Sequence, residues 1–227
     1  SNTLTVTVSA APVVQNVNQA ICSGTAFTVS PINGGGNSIP AGTSYTWTVN
    51  NNPNVSGQSA QNAGQNSISQ TLTNNTNTPQ TIIYSVTPTA GVCSGNPFSV
   101  NVLVNPTPVL TLSANQTICG GTATAASTYS NSVAGGTFTY SLNSPGLVPA
   151  TVTGYATNGN GQIPAATINN SGATPFTLNY TVTPIANGCN GTVGTYAITV
   201  NPAPITTFSI ANQAICSGTN SAPVTFS

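Results

Sequence analysis

One segment of the chain occurs three times: TVTVSAAPVVQNVNQAICSGT at 5–25, VNVLVNPTPVLTLSANQTICGGT at 100–122 and AITVNPAPITTFSIANQAICSGT at 197–219. Cys22, Cys119 and Cys216 hold the same place in each copy, at steps of 97 and 97. Self-similarity at a fixed step marks a repeat architecture. Other stretches recur with nearly the same step. IIYSVTPTAGVCSG (82–95) matches LNYTVTPIANGCNG (178–191), with Cys93 and Cys189 96 apart, and SYTWTV (44–49) matches TFTYSL (137–142). The chain therefore reads as two complete repeats, 10–105 and 106–201. Residues 1–9 read as the last strand of a preceding repeat and 202–227 as the start of a following one. With no Met and no basic-then-apolar leader, it reads as an internal piece of something longer, and the odd count of five Cys follows from that truncation.

The repeat is built of strands. Apolar and polar residues alternate with the two-residue period of a half-buried strand: Phe98, Val100, Val102 and Val104 on one face, Ser99, Asn101 and Asn105 on the other, polar one. Ile82, Tyr84 and Val86 alternate likewise, as do Leu178, Tyr180 and Val182. Trp47 and Tyr140 occupy equivalent places, and with Tyr84 and Tyr180 they form the expected aromatic core. Seven or so short strands per repeat predict an all-β chain of tandem immunoglobulin-like sandwiches, with another Greek-key or jelly-roll sandwich as the alternative. In immunoglobulin lettering the first repeat places A near 12–21, B near 25–31, C near 44–49, E near 67–73, F near 81–88 and G near 97–104. A short D strand within 50–66 stays open, and strand B of the second repeat (122–130) is weaker.

Composition decides what such a chain can do. Its 227 residues include no Lys, Arg, Asp, Glu or His, where an ordinary domain has about 25% charged residues. Thr (38), Asn (30), Ser (24) and Gln (10) supply the polarity. A Ser nucleophile has no His or Lys to activate it, and acid–base chemistry has only Tyr and Cys. Calcium and magnesium sites lack carboxylates. Phosphate backbones have no cation to meet, which excludes nucleic-acid binding. Lys–Asn isopeptide cross-links are impossible. No run of 18 apolar residues exists, so no helix inserts directly into a membrane. The expectation is a non-enzyme without cofactors or metal.

The joints are VNPTP at 104–108 and VNPAP at 200–204. Pro106, Pro108, Pro202 and Pro204 fix φ and bias their predecessors toward extended backbone. No flexible linker intervenes. Strand G runs almost directly into the next strand A, which predicts a stiff rod of roughly 40 Å per repeat.

The ICSGT turn (21–25, 215–219), the strand C aromatic, the YSVTP strand, the GVCSG and NGCNG hairpins and the VNPxP exit resemble the PKD-like and Ig-like repeats of Bacteroidota surface proteins. Such repeats build very large secreted proteins, including gliding-motility adhesins and substrates of the type IX secretion system. The resemblance implies a PKD-like sandwich in an extracellular, cell-surface stalk, filament or adhesin. The neighbouring repeats of the same chain are its first partners.

Five cysteines in an exported β protein imply disulfides. Intra-repeat pairing would join Cys22 to Cys93 and Cys119 to Cys189. Sandwich topology favours another pairing. Cys22 lies in the A–B turn at the bottom of its repeat and Cys93 in the F–G hairpin at the top, roughly 25 Å apart, beyond the ~7 Å a disulfide spans. The bottom of one repeat abuts the top of the next, which points to Cys22–Cys189. Cys119 and Cys216 would then serve later repeats, and Cys93 an earlier one.

Trp47 reads as core. NGGGNS (33–38) reads as a flexible B–C loop, because it lacks the Lys and helix of a phosphate cradle. Sequons at Asn54, Asn74, Asn115, Asn169, Asn179 and Asn190 arise readily in so Asn- and Thr-rich a chain. The Thr faces read as solvated strand. Zero charge leaves strand edges without their usual guards and favours self-association into a filament or sheath. The leading reading is thus a structural repeat; the alternative is a module that binds a glycan or surface ligand.

Overall fold

The computed structural model describes residues 10–204 and 216–220. The strands expected in 1–9 and at 205–215 and 221–227 lie outside the described residues. Two sandwiches follow one another, each with its own core.

The first contains β1 (Val17–Cys22), β2 (Thr25–Val29), β3 (Thr43–Val49), β4 (Val55–Ser56), β5 (Gln61–Gln65), β6 (Ile68–Asn74), β7 (Gln80–Ala90), β8 (Cys93–Ser94) and β9 (Phe98–Asn105). One sheet runs β1-β9-β7-β3-β5, with β8 hairpinned onto β7; the other runs β2-β6-β4. Every pairing is antiparallel except β1 with β9, which run parallel from Val17↔Val100 to Cys22↔Asn105.

The second contains β10 (Leu110–Leu112), β11 (Gln116–Cys119), β12 (Thr122–Ala123), β13 (Tyr129–Asn131), β14 (Thr137–Leu142), β15 (Val152–Thr153), β16 (Asn158–Asn160), β17 (Thr167–Asn170), β18 (Phe176–Ala186), β19 (Cys189–Asn190) and β20 (Gly194–Asn201). Its sheets are β11-β20-β18-β14-β16 with β19 on β18, and β12-β17-β15. A small β10-β13 pair is added beside them. The tandem, all-β, immunoglobulin-like architecture expected from the sequence is the one observed.

The alternation places the core. Phe27, Ile68, Leu72, Ile82, Tyr84, Val86, Val100, Val102 and Val104 of the first sandwich are fully buried. Trp47 is buried among them and donates its indole N–H to the Ser59 carbonyl at 3.0 Å. In the second sandwich Tyr140 and Tyr180 are buried edge to face, ring centroids 6.1 Å apart.

Three segments refine the sequence reading. Residues 50–66 hold two strands: β4 pairs with β6 in the small sheet, and β5 pairs with β3 in the large one. Strand B of the second sandwich shrinks to Thr122–Ala123, since Ala offers little apolar surface to hold a longer strand. The 33–38 loop is pinned: Gly34 and Asn37 form a bridge, the Asn37 side chain accepts from Gln15 N at 2.8 Å, and the Asn33 side chain accepts from Ile39 N.

Candidate functional site: the joint between the sandwiches

The site begins with the Cys-(Ser/Gly)-Gly-Thr turn. Strand β1 ends at Cys22, level with Asn105 at the end of β9. Thr25 Oγ1 donates to the Cys22 carbonyl at 2.6 Å, and Ser23 N donates to the Asn105 carbonyl at 2.8 Å. Gly24 sits at φ +80°, a conformation that excludes most side chains. The second copy repeats this: Thr122 Oγ1 to the Cys119 carbonyl at 2.6 Å, Gly120 N to the Asn201 carbonyl at 2.8 Å, Gly121 at φ +84°. The third retains Thr219 Oγ1 to the Cys216 carbonyl at 2.8 Å and Gly218 at φ +88°.

The opposite end of each sandwich is a two-residue hairpin. In the second sandwich Ala186 pairs with Cys189 across Asn187 (φ +51°) and Gly188 (φ +77°), both left-handed as a type I′ turn requires. This hairpin meets the turn of the first sandwich. Cys22 and Cys189 form a disulfide with Cα atoms 5.7 Å apart, and the Asn105 amide donates to the Asn187 carbonyl at 3.3 Å. Cys22 and Cys93 lie toward opposite ends of the 11-residue β7, since Gln80 pairs with Val104 and Ala90 with Cys93. At ~3.4 Å per residue those ends are about 34 Å apart, which no disulfide bridges.

Backbone from the connecting segment completes the contact. Pro106 and Pro108 are buried. A Cβ on Gly191 would collide with the Pro108 carbonyl oxygen and press on the Pro184 ring. The first sandwich repeats the packing, with Gly95 against the Pro12 carbonyl and Pro88. Pro202 is half-buried and Pro204 exposed.

Two buried asparagines brace the lower ends. Asn74 donates through Nδ2 to the Val104 carbonyl and the Thr78 carbonyl, both at 2.8 Å, and accepts from Thr76 N at 2.8 Å. Asn170 does the same for Val200 (2.8 Å), Thr174 (3.0 Å) and Gly172 N (3.0 Å). Ser23 Oγ also accepts from Asn74 N at 2.9 Å. Sequence reading marked Asn74 only as a sequon, Asn105 only on a polar strand face and in the VNPxP motif, and Gly95 and Gly191 only as members of the GVCSG and NGCNG motifs, and it passed over Asn170. The signal was present: each stands 96 positions from its counterpart.

Cys119 and Cys216 are exposed and in no disulfide among the described residues; Cys93 is half-buried. No group of three metal-ligating side chains gathers among the described residues. No described helix is long and apolar enough to cross a membrane. The joint offers covalent and hydrogen-bonded coupling between domains, and its chemistry is that of a cross-link.

Two sequential sandwiches, each pairing its last strand in parallel with an early one (β9 with β1, β20 with β11) and joined hairpin to turn, define a class: tandem immunoglobulin-like β-modules. Within that class, the PKD-like domain family model matches twice, over residues 19–108 and 116–204, and the chain belongs to that family. A search of curated proteins finds no significant match. Similar solved structures include the protocadherin gamma B4 extracellular domain (11% identity, 96% of this chain and 37% of that chain, TM-score 0.41). DIP-gamma IG1+IG2 is another (8%, 86% and 99%, 0.39), as is the titin I-band fragment I67–I69 (10%, 85% and 63%, 0.36). The chain spans about half the length of protocadherin gamma B2 and B7 fragments that it also matches, 43% and 58%.

Proposed function

We propose that the chain is a non-catalytic structural segment of a long extracellular stalk or filament, stiffened at its joints. The Cys22–Cys189 bond carries this reading. It spans 167 residues and ties the bottom of one sandwich to the top of the next. In the chain-entropy account such a loop is worth about 5 kcal/mol. Its position at a domain boundary makes it a lock on the interdomain angle. The resemblance to Bacteroidota repeats supports a parent of the gliding-motility adhesin type, exported through type IX secretion. Repeats 10–105 and 106–201 are then two links of a rod whose next partners are further repeats of the same chain.

The test is non-reducing peptide mapping of the native protein, with antibody labelling of intact cells. The expected result is surface labelling and a Cys22 peptide linked to a Cys189 peptide. A Cys22–Cys93 link, or a protein hidden from antibody, refutes the reading. Lateral association into a filament or sheath belongs to the same proposal, because a surface without charge has no electrostatic repulsion to keep copies apart. Sedimentation at low salt should show concentration-dependent association; a monodisperse monomer at high concentration overturns that part.

A further inference from the structure

The two sandwiches differ most where the chain leaves the central strand of the large sheet. From β3 to β4 the first sandwich uses residues 50–54; from β14 to β15 the second uses 143–151, four residues more. The addition folds as a 3-10 turn, Pro145–Leu147, entered through Ser144 at φ 51°, ψ 57°. A left-handed serine is strained, and strain of this kind concentrates at functional sites. Leu147 N donates to the Ser144 carbonyl at 3.0 Å, and the Leu147 side chain is 78% exposed.

This turn stands against the outer face of the β14-β18-β20 sheet and borders an open groove of about 490 Å³. Asn143, Ser144, Leu147, Phe176, Asn179 and Thr195 line it. Asn143 N donates to the Asn179 carbonyl at 2.8 Å, and Thr181 Oγ1 donates to Asn143 Oδ1 at 2.7 Å, which fixes the orientation of the Asn143 amide. The volume lies in the usual range for small-ligand sites. No lining side chain ionises, so a charged ligand would lose its hydration with no counter-charge in return. Amide and hydroxyl groups alternate with Leu147 and the half-buried Phe176. That mixture matches a molecule with hydroxyl edges and C–H faces.

We propose that the 143–148 turn makes this groove a binding site for a short neutral oligosaccharide. It is a function carried by one link of the rod and separate from the spacer role. A spacer is copied from unit to unit, whereas the turn that frames this groove has no counterpart between β3 and β4 of the first sandwich.

Saturation-transfer NMR and calorimetry on the full chain, with cellotetraose, maltotetraose and N,N′-diacetylchitobiose as probes, test the assignment. At least one probe should show saturation transfer and saturable binding. Leu147→Ala and Asn179→Ala should weaken it about tenfold, a loss of ~1.4 kcal/mol, while Asn54→Ala in the corresponding loop of the first sandwich leaves it unchanged. Both groove positions are exposed, so the fold tolerates these changes. Absence of transfer from all three probes, or equal binding by the variants, overturns the proposal without touching the disulfide map.

Discussion

Asn74 and Asn170 show how a chain without charge builds rigid junctions. Each buried amide ties the loop after its strand to the penultimate carbonyl of the last strand of its sandwich. Asn74→Ala leaves buried carbonyls unpaired and should cost ~1–3 kcal/mol, read as a lower melting temperature; Asn170→Ala should do the same. Gly191→Ala drives a methyl into the Pro108 carbonyl and should cost ~1–3 kcal/mol, while Gly188→Ala is penalised through backbone conformation alone. Tyrosines set the pH response. Burial raises the Tyr84 and Tyr180 hydroxyls well above the ordinary value near 10; for Tyr180 the neighbouring tyrosines add to the effect. The fold therefore favours their neutral forms. The unfolded chain ionises first, so stability is full below about pH 10 and falls as pH rises toward the folded-state values. Thermal melts should be flat from pH 4 to 8 and drop above 10; Tyr84→Phe with Tyr180→Phe should flatten that alkaline limb. A steep change between pH 5 and 8 would contradict this. Of these residues the tyrosines were legible from alternation, whereas the bracing role of Asn74 and Asn170 was hidden among 30 asparagines, because burial of a polar side chain leaves no mark on hydrophobic periodicity.

Strands with strong alternation, such as β7, β9, β18 and β20, could be placed from sequence because one face is buried and the period is two. Strands β4, β5, β15 and β16 could not. They are two to five residues long and mostly exposed, so no apolar pattern marks them. All four close their sheets at one edge, and their shortness serves in place of charge. Strand β5 adds a register shift between Tyr45 and Trp47, the irregularity that spoils edge-to-edge pairing. The lone Trp47 makes the first sandwich separately observable. Leu72 of β6 is fully buried, and Leu72→Ala should destabilise that sandwich by ~2–5 kcal/mol. Tryptophan fluorescence should report the early transition, with a later circular-dichroism transition from the second sandwich. A single coincident transition would show that the joint couples the two domains into one folding unit.

At the scale of the molecule, the tandem order was read from the 96-residue repeat, and the pairing of Cys22 with Cys189 from the expectation that the bottom of each repeat meets the top of the next. The sequence could not show the hydrogen bond from the Asn105 amide to the Asn187 carbonyl, because it forms only where the two domains meet. The disulfide also changes how tension travels. A pull applied before Cys22 and after Cys189 passes through the two sulfurs, so the 167-residue separation between them is removed from the load path. At ~3.5 Å per extended residue, that is about 580 Å of contour length kept in reserve. Force–extension traces of the oxidised chain should be shorter than those of the Cys22→Ser, Cys189→Ser protein by that amount, and a thiol reductant should release it in one step. From Cys189 to Cys216, where the turn recurs, is only 27 residues. A fibre in which each such turn is bonded in the same way would present little more than that short stretch to the pull for every two domains. It would behave under load as a nearly inextensible tether, even while individual domains unfold.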